Sequence, residues 1–219
     1  MSTKPQRRPR GRPRLEDSPA TSDEIFAAAL RAFATHGYDG VSVRTLNREL
    51  QVSHNLINGR FGSKEALWYA TVDWAFQPLA QRVATAFDPV LTSPLDQLRA
   101  VIRAFLLYSS ERPDLLGLMN IEGRQDTERL RYIYTTYIEP ALTPIGRLLD
   151  HLAAEGQTRP ISLRTFNFLV AHGAGAPFTL AAFARLFDPA DPLKPKAAAA
   201  YAEEAADLII NALRPDPVS

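Results

Sequence analysis

FATHGYDGVSVRTLNRELQVSHNLINGRFGSKEAL, residues 33–67, is the stretch on which the fold of this chain turns. Ser42 stands where it can cap a short helix whose Val43, Leu46 and Leu50 share one face, and Ser53 where it can cap a second carrying Leu56 and Ile57. Only Gln51 and Val52 separate the two. So short a connection forces a sharp crossing, which is the geometry of a helix-turn-helix. The second of these helices has room for few base-facing side chains. Leu56 and Ile57 turn inward, which leaves Ser53, His54, Asn55 and Asn58 as the major-groove set. Asparagine can pair bidentately with adenine and histidine can donate to guanine or phosphate. Arg44, Arg60 and Lys64 suit phosphate contact, which sets register without carrying sequence information, and helix-start amides near Ser53 would assist.

Upstream, Thr21 and Glu24 form a capping-box pattern, and Ile25, Phe26, Ala29, Leu30 and Phe33 recur at helical spacing up to His36–Gly37. This first helix braces the pair from behind. Downstream, helical segments run over roughly 63–87, 94–111, 113–122, 125–154, 162–187 and 195–213, divided by proline or glycine. Alternating β periodicity and internal repeats are absent. The expectation is an all-α chain of about nine helices: a basic arm over 1–19, a three-helix DNA-binding head over 20–64 and a larger helical domain over 65–219.

The arm carries Lys4, Arg7, Arg8, Arg10, Arg12 and Arg14 and no acid within its first fourteen residues, so a chain of net charge +1 has −5 on the remainder. Prolines at 5, 9, 13 and 19 and a dearth of apolar residues predict disorder. Charge so concentrated points to a polyanionic partner. With no apolar core behind the basic residues the arm is not a secretory signal, and a cytoplasmic, nucleoid-associated protein is expected. Residues 168–184 are largely apolar, but His172, Gly173, Gly175 and Pro177 near their centre and their short length argue against a membrane span. Cover by core or by a partner subunit is the better account.

Enzyme classes find little support. The 219 residues contain no cysteine, which removes thiolate metal sites and cysteine nucleophiles. The histidines at 36, 54, 151 and 172 lack metal-site spacing, and neither a phosphate-binding loop nor a Gly-x-Ser-x-Gly elbow is present. No cofactor and no metal are expected.

The run from 33 to 67 resembles the TetR family of repressors. It has the aromatic-x-x-x-Gly37-Tyr38 ending of the first helix, the Val41-Ser42 start of the second, Val52-Ser53 at the turn, and Phe61-Gly-Ser-Lys64-Glu-Ala-Leu67 opening the fourth. The resemblance spans residues 22 to about 70. It departs from the family pattern at Asn47, where a small residue is usual, at Gln51, where glycine is usual, and at Asn58, where an aromatic is usual.

The resemblance implies a homodimer on a palindromic double-stranded DNA operator, with the helices near 162–187 and 195–213 pairing with their mates as a four-helix bundle. It further implies a small-molecule effector pocket in the second domain, with ligand and DNA weakening each other. Phe105, Tyr108, Met119, Tyr134 and Tyr137 combine apolar bulk with polar handles and are the candidate ligand residues, for a largely apolar effector that releases the repressor. Within the arm, Arg10-Gly11-Arg12-Pro13 resembles an AT-hook core, which places Arg8, Arg10, Arg12 and Arg14 in an A·T-rich minor groove. Two other functions stay open at this point. One is a constitutive or architectural DNA-binding dimer without an effector; the other is a helical interaction protein with a basic tail, which would show no salt-dependent binding to specific duplex DNA.

Overall fold

The computed structural model describes residues 20–52, 55–87 and 93–215. Among these residues every regular element is helical. The head consists of α1 (Ser22–Gly40), α2 (Val43–Glu49) and α3 (Leu56–Phe61). Then follow α4 (Lys64–Ala86), α5 (Pro94–Glu111), α6 (Pro113–Glu122), α7 (Glu128–Ile133), α8 (Glu139–Ala154), α9 (Leu163–Phe168), α10 (Ala176–Thr179), α11 (Ala181–Ala184) and α12 (Pro195–Leu213). Wide π turns join α7 to α8 over Tyr134–Ile138 and continue α9 over Leu169–Ala174. No described helix is long and apolar enough to cross a membrane.

α1 starts on the Thr21–Glu24 capping box, the Thr21 hydroxyl accepting from the Glu24 amide and the Glu24 carboxylate from the Thr21 amide. Its helical path breaks at Gly37, whose φ of 69° is left-handed and suits a residue without a Cβ. Ile25, Ala29, Leu30 and Phe33 of this helix are buried, as the 3.6-residue period requires. Phe26 meets Phe61 of α3 and Trp74 of α4 at ring-centroid distances of 5.4 and 5.9 Å, closing the head on α4. α4 then runs on into the second domain, where Trp68, Val72, Ala75 and Phe76 are buried. α12 lies along α5, pinned by Arg99 to Asp207 and Glu203 and by Arg103 to Glu203.

The segment expected as one helix over 162–187 is broken, at Gly175 and again at Leu180. Pro177 explains the first break: it has no amide hydrogen to continue the ladder and its ring crowds the preceding turn. The chain answers by widening that turn, with the Gly175 amide donating to the Val170 carbonyl, five residues back. Pro140 has the same effect after the π turn at Tyr134–Ile138. Gly175 is also the point where this segment touches α6: a Cβ there would lie 2.3 Å from the Ala171 carbonyl oxygen and 2.8 Å from Leu116 Cδ1.

Candidate nucleic-acid interface and internal cavity

The turn between α2 and α3 is built by two of the three residues that depart from the usual pattern, Asn47 and Gln51. Gln51 takes φ 55°, the left-handed region where glycine is at ease. Its cost as a non-glycine residue is about 1–2 kcal/mol. Gln51→Gly is therefore expected to stabilise the chain by about 1 kcal/mol, raising the thermal midpoint about 2–4 °C. A lower midpoint in a melting curve would refute this account of the turn. Asn47 is fully buried in α2; its side-chain Oδ1 accepts from the Ile57 amide of α3 at 3.4 Å and its carbonyl from the Val52 amide at 3.0 Å. A small residue there could not cross-link the two helices through its side chain.

With Leu56 and Ile57 buried, Asn55 and Asn58 are exposed at and just beyond the start of α3, and Arg44 is exposed on α2. Arg44 and Asn58 share the rim of a shallow depression with Val43 and Asn47. Ser53 and His54 lie outside the described residues, as does the arm with Arg8, Arg10, Arg12 and Arg14. Two of the residues expected at phosphate, Arg60 and Lys64, also have partners within the chain. Arg60 donates from Nη1 to the Ala20 carbonyl at 3.1 Å, tying the end of α3 to the entry of α1. Lys64 Nζ donates to the Tyr38 and Val41 carbonyls at 3.1 and 3.3 Å and sits 4.1 Å from the centre of the Tyr38 ring. It closes the end of α1, where carbonyls lack helical partners.

Tyr38 also carries the Arg129 guanidinium, 4.0 Å from the ring centre, and Arg129 pairs at 3.4 Å with buried Glu122 at the end of α6. α6 is pressed closely on α1: a Cβ on Gly117 would stand 3.2 Å from Ala34 Cβ, and one on Gly37 3.3 Å from Ile121. α6 and α1 thus share a close-packed seam between the two parts of the chain.

The opposite side of α6 faces an internal cavity of about 120 Å³. Phe76 and Leu79 of α4, Phe105 of α5, Leu116 and Met119 of α6 and Phe166 of α9 give it carbon walls, and Tyr137, Asn167 and His172 add its few polar atoms. Of the five candidate ligand residues the fold brings Phe105, Met119 and Tyr137 here. Tyr108 and Tyr134 are not among the lining residues. Tyr108 is buried between α4 and α5, donating to the Ala75 carbonyl at 2.6 Å, while Tyr134 is half exposed on the far side of the π turn. Sequence reasoning missed Asn167 and His172, because only the widened turn places them on one wall.

Behind Tyr137, Asp73 of α4 accepts from both the Tyr132 and Tyr137 hydroxyls at 2.7 Å. Burial, reinforced by the hydrogen bond to this carboxylate, raises both phenols far above their ordinary value, Tyr132 to about 12. Both stay protonated donors at neutral pH. No group of three or more acidic or histidine side chains that could hold a metal ion exists among the described residues.

Comparison with known proteins agrees with this architecture. Residues 25–70 match the family described as bacterial regulatory proteins, tetR family, and residues 94–209, more than half of the chain, match the tetracyclin repressor-like C-terminal domain. The HTH-type transcriptional repressor SCO4008 of Streptomyces coelicolor (strain ATCC BAA-471 / A3(2) / M145) is 29% identical over 109 residues, which are 50% of this chain. The match spans about half, 53%, of the length of that curated relative. Among solved structures, the ketosteroid transcriptional regulator KstR2 of Mycobacterium tuberculosis superposes with a TM-score of 0.70 at 16% identity, covering 89% of this chain and 95% of that one. The TetR family regulator PfmR of Thermus thermophilus does so with a TM-score of 0.62 at 21% identity, covering 90% and 98%. At such identities the likeness is one of fold. With one family pattern over the head and a second over most of the helical domain behind it, this bacterial regulatory protein belongs to the TetR family.

Proposed function

We propose that the protein is a homodimeric repressor that binds a palindromic operator and is released from it by a small, largely apolar effector. The observation that carries this reading is the position of α6, which walls the cavity with Leu115, Leu116 and Met119 and packs its other face on α1 of the head. A ligand that prefers one placement of α6 must shift the head spacing, and operator DNA must in turn shift ligand affinity. Asn55 and Asn58 read bases with Ser53 and His54, Arg44 contacts phosphate, and the basic arm enters the adjacent minor groove.

The dimer is supported by apolar surface that the single chain leaves uncovered. Phe168, Leu169, Leu180, Phe183, Leu186 and Phe187 on the 163–187 segment, with Leu208 on α12, are all exposed. Patches of this kind mark interaction surfaces.

Selection from a random duplex library at several salt concentrations tests the reading. The full chain is expected to enrich a palindrome. Arg44→Ala should weaken all sequences alike and lower the salt dependence by about one counterion, whereas Asn58→Ala should cost about 1–3 kcal/mol at one base position and relax specificity there. Absence of any enriched sequence from folded protein would overturn the proposal. An enriched palindrome whose binding no apolar compound alters would favour a constitutive, architectural dimer.

A further inference from the structure

Three features of the cavity bear on what it can hold. The first is that its polar atoms are not equally available. The Tyr137 hydroxyl already donates to Asp73 at 2.7 Å. Neither the Asn167 nor the His172 side chain hydrogen-bonds another protein group among the described residues; His172 only meets the Phe168 ring, at 5.0 Å between centroids. Each of the two side chains can both donate and accept.

The second feature is their placement. Residues five apart on an α-helix point about 140° away from each other, since each advances about 100°. The turn at Leu169–Ala174, closed by the amide five residues ahead, brings Asn167 and His172 back to the same wall. Across Leu116, Ala171 and His172 lies a second chamber, of about 160 Å³, which adds Asn120 and Thr179 and reaches exposed Leu180. His172 therefore stands where the two chambers meet, with Asn120 and Thr179 on its far side.

The third feature is charge. No lysine or arginine is among the described residues lining either chamber. The wall's own ionisable side chains are Tyr137 and His172, and the one fixed charge tied to it is the Asp73 carboxylate behind Tyr137. With the His172 imidazole neutral, as at mildly alkaline pH, an anion entering here would exchange its hydration for carbon and a like charge, with no lysine or arginine in return.

We infer that the effector is an uncharged amphiphile, its apolar body lying among Phe76, Phe105, Met119 and Phe166 and its single hydrogen-bonding head held by Asn167 and His172. This deepens the effector reading above and rests on it. The cavity selects alcohols, amides or ketones against carboxylic acids of the same chain length.

Decanol, decanoate and decyltrimethylammonium, each below its micelle-forming concentration and at mildly alkaline pH, test the inference on the full chain by thermal shift and by displacement from the selected operator. Decanol is expected to bind about tenfold or more tightly than decanoate and to release DNA. Asn167→Leu combined with His172→Leu should weaken decanol about tenfold with little change in the ligand-free midpoint, since both positions are only half buried. Decanoate or the ammonium compound binding as well as decanol, or decanol indifferent to the double substitution, overturns the uncharged-ligand inference while leaving an apolar effector in place. If none of the three binds, the effector reading falls, and this inference with it.

Discussion

Gly175→Ala will lower the thermal midpoint of the protein by about 5 °C, whereas Gly173→Ala, two residues earlier in the same segment, will leave it nearly unchanged. The added Cβ at 175 would come within 2.3 Å of the Ala171 carbonyl oxygen and 2.8 Å of Leu116 Cδ1. Backbone cannot yield as a side-chain tip can, so the segment must move off α6 or the widened turn must reopen. Overpacking of this kind costs about 1–3 kcal/mol, and each kcal/mol is worth about 2–4 °C in a chain of this size. At Gly173 the nearest atom to a new Cβ is Leu169 Cδ1 at 3.5 Å, an ordinary contact on an exposed turn. The pair of melting curves separates a clash from a general intolerance of alanine in the segment. Equal midpoints for the two variants would mean that the close approach to α6 is not tight.

A second large effect is expected at the uncovered apolar face. Leu186 and Phe187 are 80% and 79% exposed, so a single chain has little to lose when they are changed. Phe183→Asp, Leu186→Asp and Phe187→Asp together should leave the folded monomer's helical content intact and abolish the dimer, because burying unpaired carboxylates at a subunit interface is prohibitive. Operator affinity should then fall about 100-fold or more, as two half-sites no longer bind as one unit. Sedimentation would report the assembly state and fluorescence anisotropy on the selected operator the affinity. A triple variant that remains dimeric would place the subunit interface elsewhere.

The head was legible from sequence because its signals are local. Capping at Thr21 and the 3.6-residue rhythm of Ile25, Ala29 and Phe33 each need only a few neighbours to be recognised, whereas the turn is longer than the two residues expected: α2 ends at Glu49 and α3 starts at Leu56, with Asn55 and not Ser53 at its N-cap. What was not legible depends on contacts across the chain. Lys64 is expected at phosphate on its chemistry alone; that it also spans 23 residues back to the Val41 carbonyl is a property of how α4 crosses α1. Arg60 is similarly drawn back to the Ala20 carbonyl. Tyr108 had the composition of a pocket residue but sits where α4 and α5 are in contact, its hydroxyl satisfied by backbone. Asn167 and His172 were hidden because five-residue spacing is a mismatch in any α-helix, and only the wide turn ahead of Pro177 converts it into a match. The departures at Asn47 and Gln51, in contrast, were visible in the sequence; it took the structure to show one as a cross-link and the other as a strained turn.

Tyr38 belongs to the head by position in the chain, yet one of the two cations on its ring, Arg129, comes from the second domain and is fixed there by Glu122. The joint between reader and receiver is thus written half in each. A chimera assembled by grafting this head onto another receiver would inherit an aromatic face without its guanidinium, and could bind its operator normally yet be deaf to the new ligand. Shuffling such modules would call for Tyr38, Glu122 and Arg129 to travel as a set.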